Sequence, residues 1–315
     1  MRNRPLIALS TIAVATMILA GCSGTKGTTA DDTEAPAADL CSATVEPGDA
    51  SDGVKVEGDF GTASTANFQL GEKVEEAQRT VISEGDGDKA ANGDYVSYAL
   101  SAFDGDTGER LGDAGYTEGE LLPAALTADA PLGQLIGCAS VGSRLSIVFP
   151  TTEDAAAQYY VLDVLDVVPT AAWGEEQAPV AGMPVVTLDD DGAPTVEIPD
   201  AAAPTEVQIS VLKQGDGIAV GDGDTTLLQY HGVGWETGET FDSSWAKGAP
   251  ITSEGNGYVP GFVQALAGQK VGSQVLVVVP PAAGYGEGEI NDEDLKGQTL
   301  VFVIDILATM HPAAA

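Results

Sequence analysis

Apolar residues occur along most of the chain in short runs, many of which alternate with polar residues and end at Gly- or Asp-rich turns. The runs with the strongest strand character are rich in β-branched residues and lie at 207–212, 225–230, 273–279 and 299–307. Helical spacing occurs between them at 260–269, where Phe262, Ala265 and Leu266 share one face. One short helix among several strands predicts an α+β fold.

The same signatures occur twice in the sequence. Matching segments lie 130 residues apart and include Gly85-Asp86-Gly87 with Gly215-Asp216-Gly217, Thr107-Gly108-Glu109 with Thr237-Gly238-Glu239, and Val141-Gly142-Ser143 with Val271-Gly272-Ser273. After Pro150 the spacing increases to 142, because the segment from Tyr160 to Asp163 matches the segment from Phe302 to Asp305. The sequence therefore predicts two copies of one fold, the first of which is shorter before its last strand.

The composition excludes two classes of partner. The 315 residues include 39 Gly and 17 Pro, which is typical of many turns between strands. Lys and Arg number 13 against 48 Asp and Glu, which gives a formal charge of −35. Nucleic-acid binders and polybasic membrane-surface proteins both need clustered positive charge, so this chain belongs to neither class.

The N-terminus has the features of an export signal. Arg2 and Arg4 precede the apolar segment 6–20, which is shorter than the about 20 residues that a membrane-spanning helix needs. The following Leu19-Ala20-Gly21-Cys22 resembles the bacterial lipobox, in which the Cys is acylated and becomes the mature N-terminus. The alternative is an ordinary signal peptide followed by an incidental Cys.

This N-terminal pattern predicts where the protein is located. We expect a lipoprotein signal peptide at 1–21 and lipidation of Cys22. Residues 22–40 are mostly small or polar and predict a flexible tether. The predicted location is the extracytoplasmic face of the cell membrane, to which the chain is anchored by lipid.

The two remaining cysteines, Cys41 and Cys138, are most simply interpreted as a disulfide in an exported protein. A metal site or a thiol nucleophile are the alternatives, but the only histidines, His231 and His311, give them little support. We expect no metal site and no cofactor.

The second copy resembles the FKBP-type peptidyl-prolyl cis-trans isomerases over nearly all of residues 205–310. The segments that carry the resemblance keep the order of the family and are Tyr230-His231-Gly232, Thr240-Phe241-Asp242-Ser243-Ser244, Gly248-Ala249-Pro250, Val259-Pro260-Gly261-Phe262, Lys270-Val271-Gly272, Val279-Pro280-Pro281, Gly284-Tyr285-Gly286 and Thr299-Leu300-Val301-Phe302. Each segment is weak evidence by itself, but their order and spacing together are specific.

The resemblance implies a twisted antiparallel sheet wrapped around a short helix, with an apolar pocket between them. It implies catalytic roles for Tyr230, Phe241, Asp242, Tyr285 and Phe302. It also implies that substrate is bound by Ile251, Tyr258, Val259 and Phe262. In this interpretation the three phenylalanines enclose the prolyl ring, and Tyr285 donates a hydrogen bond to a substrate carbonyl. Asp242 and Tyr230 form a polar lining at the rim.

The first copy keeps the signatures of the scaffold and loses those of the pocket. At the spacing of 130, Tyr230, Phe241 and Asp242 are matched by Leu100, Leu111 and Gly112, while Tyr160 matches Phe302 at the spacing of 142. We therefore expect a degenerate, inactive FKBP-like domain at 41–169, a linker with a leading strand at 170–204, and an isomerase domain at 205–311. The first domain would serve as a spacer, a client-binding surface or a dimerisation unit.

The predicted function is peptidyl-prolyl isomerisation that assists the folding of exported proteins outside the cytoplasm. The expected partners are unfolded or partly folded proteins with Xaa-Pro bonds and the membrane, which is reached through the N-terminal lipid; a macrolide is a further candidate ligand. Two alternatives stay open: an extracytoplasmic chaperone or client-binding module whose isomerase activity is incidental, and a scaffold whose second pocket is idle.

Overall fold

A computed structural model describes residues 39–254, 257–290 and 294–312. The predicted signal peptide, Cys22 and the predicted tether up to residue 38 lie outside the described residues. Leu40 is 2% exposed and packs in an apolar core, so the predicted tether at 22–40 ends before this residue. Within the described ranges, no helix is both long and apolar enough to span a bilayer.

The first half of the described chain contains eight strands and two short helices. The strands are β1 (Lys55–Glu57), β2 (Thr65–Asn67), β3 (Gln78–Ser83), β4 (Tyr95–Asp104), β5 (Arg110–Ala114), β6 (Ala124–Ala125), β7 (Arg144–Phe149) and β8 (Gln158–Val168). The helices are α1 (Asp49–Asp52) and α2 (Pro131–Ile136). Proline at the start of α2 fits the first turn, where its missing N–H removes no helical hydrogen bond.

The second half contains nine strands and two short helices. The strands are β9 (Glu175–Glu176), β10 (Val185–Leu188), β11 (Pro194–Glu197), β12 (Gln208–Gln214), β13 (Thr225–Gly234), β14 (Thr240–Ser243), β15 (Ile251–Glu254), β16 (Gln274–Val279) and β17 (Leu300–Met310). The helices are α3 (Ser244–Lys247) and α4 (Pro260–Leu266), and a 3₁₀ turn spans Pro281–Ala283. The predicted strands and the predicted helix of this half are therefore present.

These elements form two large antiparallel sheets that share the order of six strands, and the second sheet has one further strand, β9, at its edge. The six-stranded sheet runs β3-β7-β8-β4-β5, with β6 paired to β4. The seven-stranded sheet runs β9-β12-β16-β17-β13-β14, with β15 paired to β13. Their registers agree with the spacings of 130 and 142, because Ala102 pairs with Tyr160 in the first and Gly232 with Phe302 in the second.

The central strands of the second sheet are apolar on both faces, which explains their continuous apolar sequence. Alternate residues point to opposite faces of a strand. On β17, Phe302 and Ile304 join the core around α4, while Val301 and Val303 join a second core on the opposite face. The first sheet is buried in the same way, with α2 on one face and the β1–β2 hairpin on the other.

The predicted leading strand in the segment 170–204 does not join the large sheet. It corresponds to β10, which pairs with β11 in a hairpin of its own, and this hairpin packs on the outer face of the second sheet. The segment that joins the sheet is the shorter β9, which pairs with β12. A pattern of alternating residues predicts a strand but does not determine its partner, so the sequence could not distinguish these cases.

Cys41 and Cys138 form a disulfide, as predicted, across a sequence separation of 97 residues. The bond ties the N-terminal edge of the described chain to the residues that follow α2. On the chain-entropy argument, closing a loop of this length stabilises the fold by about 4.7 kcal/mol.

Candidate active site

An aromatic cluster lies between α4 and the inner face of the seven-stranded sheet. Phe262 on α4 is fully buried, while Phe302 on β17 and Tyr230 on β13 are 5% and 6% exposed. Phe241 on β14 and Tyr258, which precedes α4, are half-buried and pack against the same core. The structure thus brings together five side chains that the sequence assigned to the pocket.

The rings of this cluster meet mostly at right angles. The ring centroid of Phe262 lies 5.2 Å from that of Phe302 and 6.3 Å from that of Tyr230, each at 88°. Phe241 contacts Phe302 edge-on, at 5.5 Å and 89°. Edge-to-face pairs of this kind contribute about 0.5–1.5 kcal/mol beyond the area that they bury. The cluster is therefore a rigid apolar corner.

The ring of Tyr258 covers the base of this corner. It is stacked on Phe262 with 4.6 Å between the ring centroids and 18° between the planes. Because Phe262 has no exposed surface, a prolyl ring that is to contact it must first displace a neighbour. The stacked Tyr258 is half-buried, and its displacement toward solvent would expose the ring of Phe262.

A polar group of three residues lies at the rim of the cluster. The Tyr230 hydroxyl donates a hydrogen bond to a carboxylate oxygen of Asp242. Lys247 on α3 lies 2.6 Å from the other oxygen of that carboxylate and donates to the Tyr230 hydroxyl at 3.1 Å. Its ammonium also lies 5.6 Å from the centroid of the Tyr230 ring. Burial opposes ionisation of the Asp242 carboxyl, but the bonds from Lys247 and Tyr230 outweigh it and lower its pKa.

The backbone around Asp242 explains why it points toward the cluster. Asp242 lies on the short strand β14, and its carboxylate also accepts from the Ser243 N–H at 2.8 Å. Ser243 is the N-cap of α3, with its hydroxyl accepting from the Ala246 N–H. The short helix that follows carries Lys247 back toward Tyr230. Sequence reasoning missed this lysine, although the Ser cap and a basic residue in the last turn of a short helix were a usable signal.

The remaining predicted residues divide into two groups. Ile251, at the start of β15, and Val259, the N-cap of α4, both pack against the aromatic core. Tyr285 follows the 3₁₀ turn, is 53% exposed, and lies outside that core. The structure therefore gathers the apolar wall, while Tyr285, which was assigned to a substrate carbonyl, lies on the loop between β16 and β17.

The equivalent place in the first sheet has a different surface. Leu100 on β4 and Leu111 on β5 occupy the positions of Tyr230 and Phe241, and Leu111 is 52% exposed. Tyr160 on β8 packs edge-on against Phe149 instead of joining an aromatic corner, with 5.3 Å between the rings. The connection between β7 and β8 is also too short to contain a counterpart of the Tyr285 loop.

Comparison with known proteins finds relatives of the second half of the chain. The sequence profile of the FKBP-type peptidyl-prolyl cis-trans isomerases matches residues 217–307. The probable FK506-binding protein of Corynebacterium glutamicum is 38% identical over 115 residues, which are 36% of this chain and 97% of that protein. The FK506-binding protein of Streptomyces anulatus is 36% identical over 118 residues, which are 36% of this chain and 95% of that protein.

Among solved structures, the crystal structure of FkpA from Escherichia coli is similar at 26% sequence identity and a TM-score of 0.32, covering 44% of this chain and 55% of that chain. All the predicted pocket residues lie within the segment that the profile matches, and the six-stranded sheet lies before it.

Proposed function

Since the chain belongs to the FKBP-type peptidyl-prolyl cis-trans isomerases, we propose that it isomerises Xaa-Pro bonds of exported proteins in the aromatic corner of the seven-stranded sheet. The observation that supports this assignment is the cluster of Phe241, Phe262 and Phe302, joined at one rim by Asp242 and Tyr230. It offers a prolyl ring apolar walls on several sides and a polar edge.

Such a pocket suits a reaction that needs no nucleophile. An Xaa-Pro bond is planar because of amide resonance, and rotation about a peptide bond meets a barrier of about 18–20 kcal/mol. Uncatalysed isomerisation takes tens to hundreds of seconds. At the twisted transition state the resonance is lost and the amide is less polar. A water-poor aromatic pocket therefore binds the twisted form better than the planar form, which lowers the barrier.

The proposed roles follow the positions of the side chains. Phe241, Phe262 and Phe302 enclose the prolyl ring after Tyr258 moves aside. The exposed hydroxyl of Tyr285 is available to donate to a substrate carbonyl. Asp242, held by Lys247 and Tyr230, fixes the polar rim and positions the residues that surround the ring.

The six-stranded sheet has a separate role in this proposal. We assign residues 41–169 to a degenerate FKBP-like domain and residues 205–311 to the isomerase domain, each with a sheet around a short helix. The substitution of Leu111 for Phe241 and the short β7–β8 connection support loss of activity in the first domain. Segment 170–204 contributes β9 and the β10–β11 hairpin, so it is associated with the second sheet.

The proposed location is outside the cytoplasm, with the chain attached to the membrane through lipid on Cys22. The basic and apolar N-terminal segment and the lipobox-like sequence support export. The Cys41–Cys138 disulfide supports an oxidising compartment, since disulfides are rare in most cytosolic proteins. A form with Cys22→Ala should be released from membranes by salt or lose membrane association, which fractionation of cells would detect.

Assays on a short prolyl peptide test the pocket directly. Phe302→Ala should lower kcat/KM about 100-fold, because it removes a wall that contacts both Phe241 and Phe262. Tyr285→Phe removes one exposed hydroxyl and should lower kcat/KM about tenfold with no change in thermal unfolding. Unchanged kcat/KM in both variants would contradict the assignment of the pocket.

A further inference from the structure

A cleft of about 670 Å³ lies between the two large sheets, away from the aromatic corner. Residues of the first sheet, of the second sheet and of the segment that connects them all contribute to its walls. Its volume is within the range of about 300–1,000 Å³ that is usual for ligand sites. The pocket residues of the seven-stranded sheet do not line it, so the isomerase function leaves this cleft unexplained.

The cleft presents aromatic surface that is held in place. Trp173, in the connecting segment, lines the cleft and is 43% exposed. The backbone on both sides of it is fixed, because the Ala172 N–H donates to Asp305 at 2.8 Å and the Gly174 N–H donates to the Gly272 carbonyl at 2.9 Å. An exposed Trp on an anchored backbone is a preorganised contact surface.

Gly272 is required for this placement. Its φ is +90°, and a Cβ at this position would lie 2.9 Å from the Trp173 ring. Tyr98 on β4 and Tyr116 in the loop between β5 and β6 add two further aromatic side chains to the lining. Aromatic residues of this kind are enriched where proteins bind other polypeptides, since they bury a large area at a small entropic cost.

The loop between β5 and β6 contacts the chain that follows β17 at the edge of the cleft. His311 follows β17, and its backbone N–H donates to the Gly119 carbonyl at 2.9 Å. Gly119 has a φ of +83°, and a Cβ there would lie 2.6 Å from the His311 ring. The walls are therefore set by a close backbone approach.

The charges of the cleft define what it can bind. Glu118 and Asp166 are its charged lining residues, and both are exposed. No Lys, Arg or His belongs to the lining within the described ranges, and the whole chain carries −35. A ligand that fits both features has apolar side chains for the aromatic walls and positive charge for the carboxylates.

We propose that this cleft binds an extended segment of an unfolded exported polypeptide in which Lys or Arg alternates with apolar or aromatic residues. The inference rests on the proposed function and extends it, because a client bound in the cleft stays attached to the molecule that carries the pocket, which raises the effective concentration of its Xaa-Pro bonds. The cleft itself needs no proline. It gives the chaperone alternative a specific binding surface.

Binding of a labelled peptide to the full chain tests the proposal. The probe is a fluorescent 12-residue peptide without proline that alternates Lys with Phe and Leu, and its matched control has Glu in place of Lys. Fluorescence anisotropy should show binding of the Lys peptide and at least tenfold weaker binding of the Glu peptide. Trp173→Ala should weaken binding of the Lys peptide about tenfold.

Matched variants distinguish the cleft from general surface effects. Phe60 is also 43% exposed but does not line the cleft, so Phe60→Ala should leave the dissociation constant within twofold of wild type. Glu118→Gln with Asp166→Asn should weaken binding of the Lys peptide three- to tenfold. Asp190 and Asp191 lie in a turn outside the cleft. The double variant Asp190→Asn with Asp191→Asn removes the same charge and should change the dissociation constant of the Lys peptide less than twofold.

Several results would overturn the proposal. One is that the Lys peptide does not bind to wild type, and another is that the Glu peptide binds equally well. The third is an equal loss of binding in the Trp173→Ala and Phe60→Ala variants, when thermal unfolding shows that both variants are folded. The wild-type preparation is also assayed on a short prolyl peptide. Absence of isomerisation there would contradict the proposed function of the pocket, whereas the peptide-binding result stands or fails separately.

Discussion

The two large sheets share the order of six strands but have different residues at two equivalent places. At the pocket, the second sheet has Tyr230 and Phe241 where the first has Leu100 and Leu111. Both sets of residues are compatible with the same pairing of central strands. The scaffold therefore depends on the alternating apolar residues of the strands, while the aromatic corner is an addition that the fold does not need.

The second difference lies on the opposite face of each sheet. Asp163 in the first sheet is fully buried and pairs with Arg144, whose Nε and Nη2 lie 2.6 and 2.8 Å from its two oxygens. Asp305 in the second sheet is 2% exposed and accepts from Gln274 and from the Ala172 N–H, both at 2.8 Å. Asp163 thus has a buried cation as a partner in addition to the Gly61 N–H at 2.8 Å, whereas both hydrogen-bond donors to Asp305 are neutral.

The charged form of the buried group is favoured in the first sheet and disfavoured in the second. Hydrogen bonding to Asp163 raises the pKa of the Arg144 guanidinium, although burial opposes it. Burial raises the pKa of the Asp305 carboxyl, and its two neutral hydrogen bonds and the charge of Lys213 do not offset that effect. Each carboxylate binds the segment that precedes its sheet, because Asp163 accepts from the Gly61 N–H and Asp305 accepts from the Ala172 N–H. A buried carboxylate therefore binds the preceding segment in both sheets, but it belongs to a buried ion pair only in the first.

Asp163→Asn should have the largest effect on stability. It leaves the buried guanidinium of Arg144 without its anion, which costs about 3–5 kcal/mol in comparable buried pairs. Urea unfolding of the full chain should show this loss in the transition of the first sheet. A free energy of unfolding within 1 kcal/mol of wild type would show that the pair contributes little, and Asp166→Asn, at an exposed position, is the matched control.

Tyr258→Val tests whether the ring of Tyr258 blocks access of a prolyl ring to Phe262. It removes the ring stacked on Phe262, whose contribution is about 0.5–1.5 kcal/mol, and so exposes the base of the corner. If a prolyl ring must displace Tyr258, KM for a short prolyl peptide should fall about threefold to tenfold. A higher KM would instead mean that Tyr258 contributes to substrate binding in its stacked position.

Asp305→Asn should have the smallest effect, and its sign is opposite to that of Asp163→Asn. Because the folded-state pKa of Asp305 is raised, wild type loses stability as pH rises from the ordinary value of about 3.8 through the raised pKa. An Asn keeps both hydrogen bonds if the Gln274 amide reverses. The variant should therefore gain on the order of 1 kcal/mol over wild type at pH 7 and none near pH 3. Thermal unfolding at both pH values measures this, and a variant that is less stable at pH 7 would contradict it.

Much of the second sheet could be predicted from the sequence because its strands are long apolar runs between Gly and Asp turns. The helix at α4 was also recognisable, since Pro260 begins it and Phe262 and Leu266 share one face. The repeat spacings also identified positions that are equivalent in the two sheets, since the structure pairs Ala102 with Tyr160 in the first and Gly232 with Phe302 in the second. These features are local or periodic, and each is repeated in the chain.

Other features depend on contacts that no local pattern records. The partner of β10 is β11 in a separate hairpin, and alternation alone does not identify it. Tyr258 was assigned to the pocket, but its stacking on Phe262 depends on the path of the chain before α4. Trp173 lies in a segment that reads as a linker, and only its anchors at Asp305 and Gly272 make it part of a cleft.

The central claim is that isomerase activity comes from the aromatic corner of the second sheet alone. The most direct test is kcat/KM on a short prolyl peptide for the full chain carrying Tyr230→Leu and Phe241→Leu, which gives the second pocket the residues of the first. Leu111→Ala, at the equivalent exposed position of the first sheet, is the control. We predict a loss of about 100-fold in the double variant and no change in the control. Retention of half or more of the wild-type kcat/KM by the folded double variant would contradict the account.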